Sequence, residues 1–260
     1  MGKTWKNIIW RKLCIMQINN LYKAEIYRFI HSSFIFIFMA AGLFGILYLA
    51  SDNSDVLLGD GTLEGALNST MRIANLIIAL VVSVGISSYA GKEFRLKTIC
   101  YEIMGGHPLW KISLTKTITC GLFVSILLQF GILFFFVTVP GALQMYSLQH
   151  ILFMFIIIFH ICSCTVLYVI LCRNGVLGGC LAFVRFTLLE VMVLFAVGLS
   201  VQEAVREKCK SLSVMSQWSA VIRSGFAIPK EYMAGIIFGA VVEYAVLLAA
   251  IQFCSKKVDF

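Results

Sequence analysis

His160, Cys162 and Cys164 form an HxCxC pattern inside an apolar run, and Arg185, Glu190 and Glu243 are the other ionisable groups at the centre of such runs. Imidazole and thiolate are ligands that zinc favours. On a helix, however, only His160 and Cys164 share a face, so at most two ligands converge, and packed polar groups among small apolar neighbours are the favoured reading. Each ionisable group costs about 2.5–3.5 kcal/mol at the middle of a membrane span on insertion scales, so His160, Arg185, Glu190 and Glu243 must face protein or water. At 1.5 Å per residue Arg185 lies about 15 Å from one edge of its run, and Glu243 about 16 Å from the opposite edge of its own. The two therefore sit near one level and can pair. Arg185 and Glu190, five apart on one helix, point in rather different directions. A buried ion pair that sets helix packing is favoured over a polar lining of a transport path.

Other chemistry is missing. The chain has no HExxH and no GxSxG nucleophile elbow. Gly2-Lys3-Thr4 reads GKT but lacks the upstream glycine and strand of a phosphate loop, so no ATP is expected to bind by that route. No metal or cofactor is expected on this chain. Of the nine cysteines, Cys120, Cys162, Cys164, Cys172, Cys180 and Cys254 lie in or at the ends of apolar runs and read as small hydrophobes, not as a disulfide framework.

The elements that hold these groups are apolar and long. The chain is 60% hydrophobic and 13% charged, against roughly 25% charged in soluble domains. From Thr117 to Cys172 there is no Lys, Arg, Asp or Glu. Six runs are long enough to cross about 30 Å of hydrocarbon, approximately 29–50, 73–91, 117–139, 151–172, 174–201 and 232–254. Backbone groups in lipid must be satisfied within their own segment, so the runs are helices, and the alternation of a β-barrel is absent. The expectation is a single all-α membrane domain over 1–260. The first run has no cleavage site after it and should remain in the mature chain.

Orientation follows from Lys and Arg. With both termini in the cytoplasm, fourteen of the 21 lie on inner segments and six on outer ones, Arg185 being inside a span. The net charge of +8 then reads as affinity for an anionic membrane surface, with membrane lipids as partners and no nucleic acid. Residues 1–28 are basic and amphipathic, with Trp5, Ile8, Ile9, Leu13 and Met16 at helical spacing, which suits an interfacial helix. Residues 51–70 read as an acidic outer loop with a glycosylation sequon at Asn68. Residues 202–231 carry five basic residues on the outer side, against the trend. Within them Val214–Ile228 is too short to span and is either a re-entrant or interfacial helix or an ordinary loop helix. Small residues recur every four positions at Ser83, Ser87 and Gly91, at Gly175 and Gly179, and at Gly235 and Gly239, where helices can approach closely within the chain.

Between the second and third runs stands a charged island, "GKEFRLKTICYEIMGGHPLWKISLTK". Lys92 to Met104 has no Gly or Pro and is expected to form one short helix, stopped by Gly105, Gly106 and Pro108. A second amphipathic piece, "LWKISLTK", leads into the next run. Exposed apolar and charged groups on such a helix make a docking surface.

The island resembles the segment after the second span in permeases of type-2 ABC transporters. The matching features are Glu93-Phe94, Lys97-Thr98-Ile99, the turn Gly105–Pro108, and Lys111 and Lys116 entering the third span. "NLYKAEIYRFIHSSFIF" resembles that family's entry into its first span, with Lys23, Glu25, Tyr27, Arg28 and Ser32. The roughly twenty-residue basic extension before Asn20 departs from the pattern. The resemblance implies six helices and a coupling helix that docks on a separate ATPase through Glu93, Phe94, Arg95, Lys97, Thr98, Ile99, Glu102, Ile103 and Met104. It implies two ABC ATPase subunits using ATP and Mg, and a second permease copy or a related permease. The function implied is export of a peptide, drug or lipid-like compound across the bacterial cytoplasmic membrane, including antimicrobial-peptide export or immunity. A membrane-embedded enzyme and a non-transporting sensor or anchor are the alternatives.

Overall fold

The computed structural model describes residues 21–32, 36–37, 40–45, 48, 63–138, 147–192, 195, 210–223 and 228–256. Residues 1–20 of the expected interfacial helix lie outside them, as do 33–35, 38–39, 46–47 and 49–50 of the first expected span. The described residues are helical, with no strand among them. In chain order they form α1 (residues 21–30), α2 (Leu63–Arg95), α3 (Thr98–Met104), α4 (Leu109–Thr138), α5 (Leu148–Cys172), α6 (Gly175–Val184), a π turn (Arg185–Leu189), α7 (Val214–Arg223) and α8 (Lys230–Lys256). Five stretches are long and apolar enough to cross a membrane: Ile73–Arg95, Leu109–Phe134, Leu148–Cys172, Gly175–Met192 and Lys230–Cys254. The chain is a helical, multi-pass membrane protein.

Helix α5, free of charged residues, is central and packs against α2, α4, α6, α7 and α8. Its inward side chains, among them Ile157, Ile161, Val166 and Ile170, are almost wholly buried. Ser147 caps its start, with the His150 side chain reaching back to the Ser147 backbone N–H at 3.2 Å. That is a capping box in which histidine takes the usual place of Glu or Gln. At its other end Arg173 turns left-handed (φ 51°), and Asn174 caps α6 by accepting from the N–H groups of Val176 (2.9 Å) and Leu177 (3.3 Å). Two residues thus reverse the chain between two spans.

The small-residue stripes do what their spacing implies. Gly91 and Gly175 meet backbone to backbone, so that a Cβ on Gly91 would stand 2.4 Å from the Gly175 Cα, and Gly179 lies against Ser87. Gly235 lies as close to the Ser211 carbonyl. In lipid, where apolar burial does not favour helix association, such close backbone contact is a main source of packing energy.

Two expectations need correction. Helix α2 begins at Leu63, so Asn68 lies in a helix and not in the outer loop expected to run to Thr70. The island is not one helix from Lys92 to Met104. Helix α2 continues through Lys92 and Glu93 to Arg95, the chain breaks at Leu96 and Lys97 (φ 56°), and α3 is a separate seven-residue piece. The physical reason is a shared partner: Glu93 and Glu102 bind the same two cations. A straight helix would separate them by about 13 Å along its axis. The Thr98 hydroxyl helps hold the break by donating to the Glu93 carbonyl (3.3 Å). The turn at Gly105–Pro108 is as expected, and "LWKISLTK" is simply the start of α4.

Replacing Gly175 by Leu should force α2 and α6 apart and lower stability by about 1–3 kcal/mol, as overpacking does. Thermal unfolding in detergent measures it, with Val176→Leu, at a 78% exposed position, leaving the midpoint unchanged.

Candidate functional site: two ionic networks

The first network closes the end of the bundle where α2, α3 and α4 meet. Helix α1 presents Glu25 and Arg28 one turn apart, α2 presents Tyr89 and Glu93 one turn apart, α3 presents Glu102, and α4 presents Lys116. Lys116 Nζ lies 2.8 Å from Glu25 Oε2 and 3.9 Å from Glu102 Oε2, and pairs closely with Glu93 Oε2. Arg28 Nη1 pairs closely with Glu102 Oε1 and lies 3.4 Å from Glu93 and 3.6 Å from Glu25. The Tyr89 hydroxyl donates to Glu25 Oε1 at 2.9 Å. Glu25, Glu93, Glu102 and Lys116 are all buried, so the pairs work in a low dielectric and cannot trade partners for water. Burial works against the charge on Arg28. Its hydrogen bond to Glu102 and the carboxylates of Glu102, Glu93 and Glu25 outweigh that and hold its pKa above the ordinary value.

Of the island residues, Glu93, Ile99 and Glu102 point inward. Ile99 packs with Leu21 and Ile112, while Phe94 and Ile103 flank that small cluster. Thr98 is half-buried. Arg95, Leu96, Lys97, Tyr101 and Met104 are exposed. The outward surface of α3 and the bend before it is therefore Leu96, Lys97, Tyr101 and Met104, and the acidic groups, Glu93 of α2 and Glu102 of α3, are internal struts. The resemblance picked out Glu25, Arg28 and Lys116 one by one. Their convergence on Glu93 and Glu102 appears only once the chain turns back at Lys97.

The second network lies inside the apolar helices. Arg185 Nη2 donates to Glu243 Oε2 at 2.9 Å, the pairing expected from depth. His160 Nε2 is 3.4 Å from the same oxygen, and the Tyr168 hydroxyl donates to Glu243 Oε1 at 3.2 Å. Arg185 Nη1 also donates to Glu190 Oε1 at 3.0 Å. The expectation that Arg185 and Glu190 diverge is thus corrected. Five residues of α-helix turn the side chains about 140° apart, but the helix widens to a π turn at Arg185–Leu189, where backbone hydrogen bonds span five residues and the two groups come nearer in angle.

Glu190 is also the cap of α7. It accepts from the backbone N–H groups of Val214 (2.9 Å) and Met215 (2.7 Å) and from the Ser213 hydroxyl (3.0 Å). A carboxylate there satisfies orphan donors and complements the helix dipole. Trp218, Val221 and Ile222 bury the inner face of α7. The helical part of the expected Val214–Ile228 segment is present and is anchored to a residue within a spanning helix. Ser213 and the α7 backbone were not foreseen, because nothing in Ser213-Val214-Met215-Ser216 names a distant carboxylate as its cap.

His160, Cys164 and Glu243 bring one ligand atom each within 4.8 Å of one another, the third from α8 rather than from the HxCxC run. They could hold a metal by donor type. The Arg185 guanidinium, on the carboxylate oxygen nearest His160, places a fixed positive charge where an ion would sit, and the group is better described as an ion network. No protein-family model matches the chain, and no curated protein matches it.

Lys116→Met leaves three buried carboxylates around one cation and should cost about 3–5 kcal/mol, the size expected when one partner of a buried pair is removed. Lys116→Met with Glu25→Gln should recover part of that loss, because one of the stranded charges goes with it. Denaturant unfolding of the two variants in detergent measures the difference.

Proposed function

We propose that the chain is the membrane-spanning subunit of an ATP-driven exporter, with six spans, both termini in the cytoplasm of a bacterial cell, and α3 as its coupling helix. Two ATPase subunits bind and hydrolyse ATP with Mg, and a second copy of the chain or a related permease completes the pathway. The cargo is a peptide, drug or lipid-like molecule, with antimicrobial-peptide export or immunity among the roles that fit.

The observation that carries this reading is the construction of α3. It is a short helix between two spanning helices, joined to α2 by a bend and to α4 by a glycine-proline turn. Its outer surface offers Tyr101 (69% exposed) and Met104 (73%), and the bend before it adds Leu96 (55%) and the exposed Lys97. An aromatic and a methionine with a basic rim are the composition of a protein-binding patch. Its inner surface is tied by Glu102 to cations on α1 and α4. A push on the patch therefore reaches three other helices through charge pairs, which is what a device that receives mechanical work requires. Met104 keeps the contact that the resemblance assigned to it, and Leu96 and Tyr101 take the place of Glu93 and Glu102, whose side chains face inward.

Photo-crosslinkers at Leu96, Tyr101 and Met104 should capture an ATPase subunit in membranes, and crosslinkers on α7 should not. Capture from α7 and none from α3 would overturn the proposal. Tyr101→Asp and Met104→Asp should each weaken ATPase association about tenfold, the loss of one contact of ~1.4 kcal/mol.

A further inference from the structure

A cleft of about 1100 Å³ opens between α2, the α5–α6 turn and the residues after α1. Three permanent cations line it: Lys92 and Arg95 from the last turn of α2, and Arg173 from the turn. His31 and Ser32 stand at its rim, and none of the described residues lining it is Asp or Glu. Glu93, between the two α2 cations, is turned to the other side of the helix, where Lys116 and Arg28 hold it. The described lining of the cleft is thus basic, and its volume slightly exceeds the usual range of pockets for drug-sized ligands.

Its depth is as informative as its charge. One apolar span ends at Arg95, another ends at Cys172, and a third begins at Gly175. All three cations therefore stand where hydrocarbon gives way to the polar interface. The cleft continues below them onto apolar walls, with Val176 78% exposed and Ile37 63% exposed. A basic mouth above an apolar wall at a span end matches an anionic headgroup above its acyl chain. The start of α6 does not supply the attraction, since Asn174 already accepts its first N–H groups. The side-chain cations do.

We propose that this cleft binds the phosphate of an anionic phospholipid, held by Lys92, Arg95 and Arg173, with its chains against Ile37 and Val176. Interfacial cations are worth about fivefold each in affinity for anionic lipid. The site rests on where the spans end and not on the exporter reading, so the two stand or fall separately.

Native mass spectrometry of the full chain in detergent, titrated with phosphatidylglycerol or with phosphatidylcholine of the same chains, tests it. Retention of phosphatidylglycerol at about a hundredfold lower lipid concentration is expected, the product of three contributions of about fivefold. The variant K92Q/R95Q/R173Q should lose that preference, and K23Q/K230Q, with charges removed away from the cleft, should keep it. Each single substitution carries the same test at about fivefold, should the triple variant lose its folded elution profile. Equal retention of the two lipids by the unaltered chain overturns the proposal, and so does an unchanged preference in the variants, as a cleft that takes an acidic protein segment would give. Displacement of phosphatidylglycerol by equimolar inorganic phosphate also overturns it, because the site would then take free phosphate.

Discussion

The arrangement depends on one ammonium group. Lys116 is the last charged residue before a long charge-free stretch, and its side chain is 3% exposed. A buried charge must have partners close by, or the cost of leaving water is not recovered. Lys116 finds three, each on a different helix. Meeting that one requirement places α1 beside α2, bends the chain at Lys97 so that α3 folds under α4, and sets the height at which α4 enters the apolar layer. Ile99, Leu21 and Ile112 fill the space around the charges, but apolar groups could pack in several registers where the ionic contacts allow few.

The second network applies the same rule deeper in the bundle. Each of its charged groups serves two or more others. Arg185 holds Glu190 and Glu243, Glu243 holds His160 and Tyr168, and Glu190 holds the first turn of α7. The π turn is the local cost of that economy. One widened turn gives up regular helix geometry and lets both carboxylates reach one guanidinium. Helix α7, whose apolar face covers only ten residues, owes its position to a carboxylate far from it in sequence.

Five of the six expected spans, and the depth of the groups within them, were legible from the sequence because they follow from composition and rise per residue. The charge-free run marked α5, and counting along two runs brought Arg185 to Glu243. The stripes at Ser83, Ser87 and Gly91 and at Gly175 and Gly179 signalled close approach, and the structure places them against each other. Two of the misreadings, the unbroken island helix and the divergence of Arg185 from Glu190, have one origin. Lys92 to Met104 contains no helix breaker, and Arg185 to Glu190 contains no sign of a widened turn. In both places a tertiary ionic contact overrides the local helical repeat. A left-handed lysine and a π turn are consequences of partners elsewhere in the chain, and a local pattern cannot show them.

The two-residue reversal at Arg173 and Asn174 acts as a ruler. With so little chain between them, α5 and α6 leave the turn at a common height, and residues equally far from it on either side lie level. His160 is about 20 Å before the turn and Arg185 about 18 Å after it. Both therefore meet Glu243 of a third helix, although neither touches the turn. The vertical position of the deep network is thus written at the bundle's rim, by the brevity of one loop.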